Sequence, residues 1–346
     1  MSPTQPENGS PPGDAPAALP RITERIDRLR ALEGAARSAT PLPPRSAKIE
    51  LTSRCNYACR FCASHLRDGT RRDMAWDLYT RIAGELRSAG VEQLGLFYIG
   101  ESFLYPRLEE AVRYAKQDCG YPYVFLTTNG CLATKDRVVE VMRAGLDSLK
   151  FALNFADEDQ FARGAGMPGE TLAIVTRNIL DACDTRDALQ AETGRRCLVS
   201  ASSLQYDDGQ PARMKALLER LVPRLDQHYW LPMYGRSATW RSCVADPHMP
   251  GNDAVHRKDL PCWPLYTEAH VTADGMLCAC SLDHSARFHA EDLKRCSFIE
   301  AWHAPAFAAL RKAHLSGDVS ATACTQCVGY PEGTMQLSTV NHRSRT

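Results

Sequence analysis

The chain has 346 residues, 44% of them hydrophobic and 24% charged, which is an ordinary globular composition. Lysine plus arginine and aspartate plus glutamate each number 41, so the formal net charge is zero and excludes a general electrostatic attraction to nucleic acid or to anionic membranes. A polar, proline-rich start and the lack of any run of about 18 apolar residues predict a cytoplasmic protein without a membrane span. Its 14 cysteines are then expected to be reduced and to serve metal binding or catalysis.

The predicted elements begin, in chain order, with a disordered tail over residues 1–19 and a helix with a linker over 20–45. Apolar residues at helical spacing predict that this helix runs from Arg21 to Arg37. From residue 47 onward, predicted strands alternate with predicted helices. The strands are predicted over residues 47–53, 91–100, 123–130, 148–156, 195–205 and 226–235, and the helices over 74–90, 108–120, 134–145, 169–190 and 212–225.

This alternation predicts an α/β fold of parallel β/α units over residues 46–235. Six units favour a partial (β/α)6 barrel of the TIM type over a closed eight-fold barrel, and a doubly wound sheet is the structural alternative. In either fold the active site lies at the carboxyl ends of the strands. After about residue 236 the alternation stops, so residues 236–346 are expected to form a smaller, cysteine-rich unit that metal ligation stabilises.

Three cysteines follow the first predicted strand: Cys55, Cys59 and Cys62 have the spacing C-x3-C-x2-C. Structural zinc sites normally close with four protein ligands, whereas soft thiolates also suit iron–sulfur clusters. Three thiolates on a cubane of four irons leave one iron free to bind a substrate or cofactor. A zinc site completed by His65 is the alternative.

In this position the motif resembles that of the radical S-adenosylmethionine (SAM) superfamily. The resemblance implies a 4Fe–4S cluster whose open iron binds the amino and carboxylate groups of SAM, and which cleaves it reductively to a 5′-deoxyadenosyl radical. Tyr98-Ile99-Gly100-Glu101 resembles the family's Gly-Gly-Glu motif, with Ile99 in place of the first glycine. The cofactor-binding residues that the resemblance implies are Phe61, Gly100, Glu101, Asn129, Asn154, Ser200, Ser202 and Met233.

A second set of cysteines lies near the C-terminus, where Cys324 and Cys327 form a C-x2-C pair. Cys262 and Cys280 are the expected other half, with a hairpin around Asp274-Gly275. Cys278 competes with Cys280, and a structural zinc is the alternative occupant. This unit resembles the twitch domain, the shorter relative of the SPASM domain, which implies one auxiliary 4Fe–4S cluster on these four cysteines.

The domain plan resembles that of aminoglycoside-biosynthesis enzymes, such as the hygromycin B epimerase, the spectinomycin-pathway dehydrogenase and the scyllo-inosamine dehydrogenase of butirosin assembly. The resemblance implies an aminoglycoside or aminocyclitol substrate that loses a carbinol hydrogen atom and is epimerised by a cysteine hydrogen-atom donor. Resemblance to the epimerase points to Cys183 as that donor. Cys183 is, however, about 20 Å down a predicted helix from the expected active-site end, and Cys131, just after the third strand, is better placed.

Three alternatives remain open at this point. The enzyme could be a dehydrogenase that oxidises the alcohol to a ketone, with the auxiliary cluster as electron acceptor. It could instead be a sulfatase-maturation or peptide-modifying activator, or a non-catalytic iron–sulfur carrier. An external electron donor such as flavodoxin or ferredoxin is expected for the enzyme. The amines of an aminoglycoside would need carboxylates in the pocket, and the available ones are Asp157, Glu158, Asp246 and Asp253.

Overall fold

The computed structural model describes residues 19–32, 34–62, 71–206, 209–232, 260–281, 283, 288, 291–322, 324 and 336–337. Strands in these ranges are β1 (Ser46–Ile49), β2 (Gln93–Gly95), β3 (Tyr123–Thr128), β4 (Ser148–Ala152), β5 (Leu198–Gln205), β6 (Gln227–Pro232), β7 (Glu268–Val271), β8 (Leu277–Cys278) and β9 (Gln336–Leu337). The α-helices are α1 (Ile22–Arg30), α2 (Trp76–Ser88), α3 (Leu108–Arg113), α4 (Lys135–Arg143), α5 (Glu158–Ala165), α6 (Thr171–Thr193), α7 (Gln210–Leu221), α8 (Pro264–Thr267), α9 (Phe298–Trp302) and α10 (Pro305–Ser316).

The strands form a single sheet in the order β8-β7-β1-β2-β3-β4-β5-β6-β9. The strands from β1 to β6 are parallel and keep their sequence order, which confirms the β/α units and the partial barrel. A doubly wound sheet would reverse its strand order part-way, and the described sheet does not.

The C-terminal region takes part in this sheet, which the sequence did not indicate. Strand β7 pairs in parallel with β1, with Ser46 opposite Glu268. Strand β8 then returns antiparallel to β7 as the expected hairpin, and Gly275 in its turn has a φ of +86°, which favours glycine. The chain beyond the predicted boundary near residue 236 thus supplies a seventh parallel strand to the same sheet.

The two faces of the sheet differ in chemistry. Residues that point toward the helices are apolar and fully buried, as Ala47 and Ile49 of β1 and Leu149 and Phe151 of β4 illustrate. The residues that alternate with them point into the barrel interior, which we call the lumen, and many are polar. On the lumen face lie Ser46, Lys48, Gln93, Tyr123, Thr127, Ser148, Lys150, Ser200, Ser202, Gln227, Tyr229, Glu268 and His270.

Helix α1 closes the lumen at the amino ends of the strands. It ends at Arg30, seven residues short of the predicted end at Arg37. Its Arg25 is only 4% exposed, donates two hydrogen bonds to Gln93 Oε1 at 3.0 and 2.7 Å, and lies 4.2 and 4.1 Å from the ring centres of Tyr123 and Phe125. This guanidinium thus fills the floor of the lumen through hydrogen bonds and cation–π contacts.

Helix α5 is a further element that the sequence did not predict. Asp157 caps it, since its Oδ1 accepts a hydrogen bond from the backbone N–H of Gln160 at 2.7 Å. Asp157 and the exposed Glu158 therefore belong to a helix start, not to a pocket for amines. The other two carboxylates considered for that pocket, Asp246 and Asp253, lie outside the described residues. Within the described ranges, none of the helices has the length and hydropathy needed to cross a membrane.

Candidate functional site

The loop that carries Cys55, Cys59 and Cys62 lies at the carboxyl end of β1 and is anchored by the end of α5. Backbone N–H groups of Ala58 and Arg60 donate to the carbonyls of Ala165 and Gly164 at 2.9 and 3.0 Å. All three thiols are partly exposed. This loop and α5 are far apart in the sequence, so the cysteine motif alone could not reveal that α5 supports the loop.

The three thiols lie close enough to influence one another. Burial raises the pKa of Cys59, and the charges of Cys62 and Cys55 raise it further. Burial also raises the pKa of Cys55 to about 11, although its sulfur accepts hydrogen bonds from Tyr57 N at 3.4 Å and from Asn129 Nδ2 at 3.9 Å. A bound metal would have to displace these protons, as in other thiolate sites.

The donor set fits an iron–sulfur cluster. Three soft thiols lie on one loop, and each would bind a different iron of a cubane. Among the residues that the structure describes, no three His, Cys, Asp or Glu side chains are arranged to hold a single metal ion. His65, the fourth ligand of the alternative zinc site, lies outside the described residues.

The loop after β2 carries Gly100 and Glu101. The predicted second strand ends early, at Gly95, so Tyr98-Ile99-Gly100-Glu101 forms a loop instead of the end of a strand. A Cβ on Gly100 would lie 1.9 Å from the carbonyl oxygen of Thr52, so only glycine fits against the cysteine loop here. The N–H of Glu101 donates to the carbonyl of Arg54 at 2.8 Å. The glycine of the motif thus packs the two loops together.

Glu101 connects this loop to the end of β3. Its Oε1 accepts hydrogen bonds from Phe103 N at 3.0 Å and Thr128 Oγ1 at 2.8 Å, and its Oε2 accepts one from Asn129 N at 2.7 Å. Burial raises the pKa of Glu101, while these hydrogen bonds oppose the rise. Its carboxylate therefore braces the rim of the barrel. The Asn129 side chain reaches the cysteine loop, with Nδ2 2.8 Å from Asn56 Oδ1.

Glu50 is a site residue that sequence reasoning missed. It is fully buried, and its Oε1 accepts from the N–H groups of Ile99 at 3.3 Å and Gly100 at 3.2 Å. Its Oε2 accepts from the N–H of Ala273, in the β7–β8 hairpin, at 3.0 Å. The signal in the sequence was a carboxylate inside the otherwise apolar run Ile49 to Leu51. A buried charge in a strand needs several donors, and three backbone N–H groups provide them.

The remaining implied cofactor residues occupy different positions. Phe61 packs against Phe155 and Tyr206, with ring centres 6.2 and 6.1 Å apart. Asn154 lies two residues beyond β4, and its Oδ1 accepts from Leu204 N at 3.2 Å, which ties β4 to β5. Ser200 and Ser202 are buried on the lumen face of β5, and Met233 lies outside the described residues.

Among the predicted auxiliary ligands, Cys280 has described contacts with the loop after β2. Cys280 follows β8, and the hydroxyl of Tyr98 donates to the carbonyls of Cys280 at 2.9 Å and Asp283 at 3.1 Å. Cys262 is buried, and its N–H donates to Nδ1 of His314 at 3.2 Å. Cys278 lies within β8 and is buried. Cys324 is partly exposed, and the fourth predicted ligand, Cys327, lies outside the described residues. The choice between Cys278 and Cys280 stays a prediction.

The two candidate hydrogen-atom donors lie in different parts of the barrel. Cys183 is fully buried in α6, about 18 Å along the helix from its start. Burial raises the pKa of Cys183 to about 12, and its charged neighbours are led by Arg186, Arg224 and Asp226. Asp226 directly precedes β6, so Cys183 lies at the amino ends of the strands, opposite the cysteine loop. A direct donor role for Cys183 does not fit this position.

Cys131 lies at the cysteine-loop end of the barrel. Its N–H donates to Asn129 Oδ1 at 3.0 Å, and its thiol is partly exposed. Burial and then the charge of Glu101 raise the pKa of Cys131, whereas Tyr57 and Asn56 lower it. These neighbours belong to the cysteine loop, so the thiol lies beside that loop.

A cavity of about 210 Å³ opens at the far end of the barrel. Its lining includes Arg143, Arg186, Arg195, Arg196 and Cys197. Arg186 and Arg196 are paired with Asp226, and Arg143 with Glu192. None of the predicted cluster ligands lines this cavity, so it does not belong to the candidate site.

An open β/α barrel with three cysteines on the loop after its first strand is the arrangement of one enzyme superfamily. The model of the radical SAM superfamily matches residues 49–186, and the model of the SPASM iron–sulfur cluster-binding domain matches residues 262–328. Residues 49–186 of the chain are thus similar to the radical SAM domain, and residues 262–328 to the SPASM domain. These domains imply a SAM-binding 4Fe–4S cluster and at least one further iron–sulfur cluster, and the thiols described above fit the first of them.

Among curated proteins, the chain is 36% identical over 129 residues to a GTP 3′,8-cyclase of Synechococcus, which is 36% of each protein. It is 30% identical over 109 residues to the tungsten-containing aldehyde ferredoxin oxidoreductase cofactor-modifying protein of Pyrococcus furiosus, which is 31% of this chain and 30% of that protein. The chain thus matches about a third of the length of these relatives.

Solved structures show the same fold at low identity. BtrN in complex with AdoMet and 2-DOIA has a TM-score of 0.50 and 15% identity, covering 79% of this chain and 88% of that one. SuiB of Streptococcus suis bound to the precursor peptide SuiA has a TM-score of 0.58 and 12% identity, covering 79% and 67%. At these identities the likeness concerns the fold alone.

Proposed function

We propose that the chain is a radical SAM dehydrogenase that oxidises a secondary alcohol on a small polyhydroxylated ring, of the sugar or cyclitol type, to a ketone. The observation that carries the proposal is a pair of contacts that join the loop after β2, with Gly100 and Glu101, to Cys280 and to the hairpin before it. Tyr98 donates to the Cys280 carbonyl, and Glu50 accepts from both Gly100 and Ala273. These contacts favour an auxiliary cluster that is coupled, through Cys280, to the loop that carries Gly100 and Glu101.

A second observation concerns the thiol that epimerisation requires. The seven parallel strands, β1 to β7, contain no cysteine, so the barrel wall offers no thiol as hydrogen-atom donor to a substrate in the lumen. Cys278 on the edge strand β8 is 1% exposed. The lack of a wall thiol favours oxidation over the epimerisation expected from the sequence.

When bound, the reduced cluster and SAM supply the 5′-deoxyadenosyl radical, and the auxiliary cluster supplies an electron acceptor. In net terms the alcohol loses a carbon-bound hydrogen atom to form 5′-deoxyadenosine, a proton to a base, and one electron to that acceptor. An external one-electron donor, such as flavodoxin or ferredoxin, starts each turnover. In this proposal Cys55, Cys59 and Cys62 hold the first cluster, and Glu101 and Glu50 hold the rim in place.

The test is anaerobic turnover of the reconstituted protein with candidate sugars and cyclitols in deuterated water, followed by mass spectrometry. A dehydrogenase gives a product lighter by two hydrogen atoms, together with one 5′-deoxyadenosine per turnover. A product that keeps all the hydrogen positions of the substrate, with one hydrogen replaced by deuterium, would contradict oxidation and establish epimerisation.

Epimerisation with Cys131 as donor is the second candidate, because this thiol is partly exposed and lies beside the cysteine loop. Replacing Cys131 with Ser would then abolish deuterium incorporation while 5′-deoxyadenosine still forms. Cys183→Ser serves as the matched control, because that thiol is buried at the other end of the barrel. Loss of epimerisation in the Cys183 variant alone would contradict the Cys131 assignment.

A further inference from the structure

The charges that line the lumen differ from those that an amine-bearing substrate would need. We propose that the substrate carries an anionic group, a phosphate or carboxylate, that binds Lys150 inside the barrel; this inference rests on the proposed function. The shared chemistry is an anion of either kind. A sugar phosphate, a nucleotide or a sugar acid carries such an anion, whereas a polycationic aminoglycoside does not.

The position of Lys150 places its ammonium in the lumen. It lies on β4 between Leu149 and Phe151, whose side chains are fully buried against the helices, so Lys150 points to the opposite face. Its neighbours in register are Thr127 on β3 and Ser200 on β5. Two hydroxyl-bearing side chains therefore flank the ammonium at the same level of the barrel.

Within the described part of the barrel, Lys150 differs from the other charged groups of the lumen in having no ion-pair or hydrogen-bond partner. Lys48 Nζ lies 2.8 Å from Glu268 Oε2, and Arg25 donates twice to Gln93. For Lys150 the structure shows, over the described residues, neither a carboxylate within ion-pair distance nor a hydrogen-bond acceptor for its ammonium. Its side chain is partly exposed, which means that it borders open space inside the barrel.

The surroundings of Lys150 make an unpaired cation unfavourable there. Burial lowers the pKa of Lys150 to about 8, and the positive charge of Arg25 lowers it further. A buried charge is retained at low cost only when it is paired or hydrogen-bonded. An incoming anion would supply that pairing, while an ammonium group would add a further like charge.

The carboxylates of the lumen are already engaged. Glu268 is paired with Lys48 and lies 3.0 Å from His270 Nε2, and Glu50 accepts three backbone hydrogen bonds. In the described part of the lumen there are thus three cations, Arg25, Lys48 and Lys150. The two carboxylates, of Glu268 and Glu50, already have hydrogen-bond or ion-pair partners. This balance favours an anion as the missing partner.

The experiment labels lysines in the anaerobically reconstituted protein with acetic anhydride near pH 8 and reads each site by mass spectrometry. Inorganic phosphate and ribose 5-phosphate, each at about ten times its Kd, should slow labelling of Lys150 roughly tenfold. Ribose and glucosamine should leave it unchanged. Lys215, 75% exposed on α7, is the matched control and should be labelled equally in every arm.

Protection by SAM alone, with none from phosphate or ribose 5-phosphate, would assign Lys150 to the cofactor carboxylate and overturn the proposal. Protection by glucosamine but not by ribose 5-phosphate would overturn it as well. The thermal shift given by ribose 5-phosphate provides a second readout, and it should disappear in Lys150→Gln, return in Lys150→Arg and persist in Lys215→Gln. Neither measurement requires turnover, so failure here is distinguishable from failure of the dehydrogenase proposal, which the product mass tests.

Discussion

The two cysteine-bearing regions differ in how they are held. Cys55, Cys59 and Cys62 lie within eight residues of chain on one loop, and the end of α5 clamps that loop through main-chain hydrogen bonds. Cys262, Cys280 and Cys324 come from three separated segments, and the hairpin before Cys280 is attached to the barrel through β7. The first region is a local motif supported by one helix, whereas the second draws its ligands from segments that are far apart in the sequence and depends on tertiary contacts.

This difference indicates how the two regions should respond to damage. The first site should lose function mainly when its ligands are replaced, because its support consists of main-chain hydrogen bonds, which side-chain substitutions leave in place. The second should also be sensitive to residues that only join the barrel to the hairpin, among which Glu50 and Tyr98 are prominent. The following predictions test that contrast.

The largest expected effect comes from the ligands themselves. Cys55→Ala should remove about four irons and abolish formation of 5′-deoxyadenosine, because a cubane needs its thiolates. Cys280→Ala should also remove about four irons, yet keep SAM cleavage, since its cluster does not bind SAM. Iron analysis and 5′-deoxyadenosine formation under dithionite measure both outcomes. Retained iron in the Cys280 variant, with loss in Cys278→Ala, would move the ligand assignment to Cys278.

The second prediction concerns Glu50, which touches both regions. Glu50→Ala leaves three buried N–H groups without this acceptor, so the free energy of unfolding should fall by about 3 kcal/mol or more. Urea unfolding of the reconstituted protein measures it. Glu219→Ala, an exposed position on α7, is the control and should change stability by less than about 0.5 kcal/mol. An equally small change in Glu50→Ala would mean that the hairpin is not held through this carboxylate.

The sequence predicted the first region well and the second only in outline. The C-x3-C-x2-C spacing and the strand–helix alternation are local patterns, so the partial barrel and the cysteine loop could be inferred from them. The parallel pairing of β7 with β1 joins residues more than 200 positions apart, and no local pattern encodes it. Glu50 and Lys150 were missed for the same reason, because their environment is made by other strands.

The third prediction concerns how the stability of the protein depends on pH through Glu268, which contacts Lys48 and His270 inside the barrel. Burial alone would raise the pKa of Glu268, but Lys48 and His270 outweigh it and hold that pKa well below its ordinary value of 4.5. The stability from this carboxylate is thus present above about pH 4.5 and is lost as pH falls through the folded-state pKa. Burial lowers the pKa of His270 below 6.5, which adds a loss of stability as pH falls from that value.

Glu268→Gln should therefore destabilise the protein by about 2 kcal/mol at pH 7, because it leaves Lys48 without its counter-charge. The difference from the unmutated protein should shrink steadily below pH 4.5. Urea unfolding of both proteins without clusters, at pH 7 and in a series of acidic buffers, measures it. A difference that stays constant across this range would show that the carboxylate carries no charge-dependent stability.

The smallest effect is expected at Tyr98, and it discriminates most sharply between the two regions. Tyr98→Phe removes a hydroxyl that donates to the carbonyls of Cys280 and Asp283, a loss worth about 1 kcal/mol. Iron of the auxiliary site should then be lost to a chelator roughly fivefold faster, while SAM cleavage by the first cluster is unchanged. Tyr105→Phe is the matched control, because it removes a similar hydrogen bond, to Met74 O at 3.1 Å, away from the hairpin. Equal acceleration in both variants would mean a general loss of stability, and acceleration in Tyr98→Phe alone would identify its hydroxyl as the positioning contact for the second cluster.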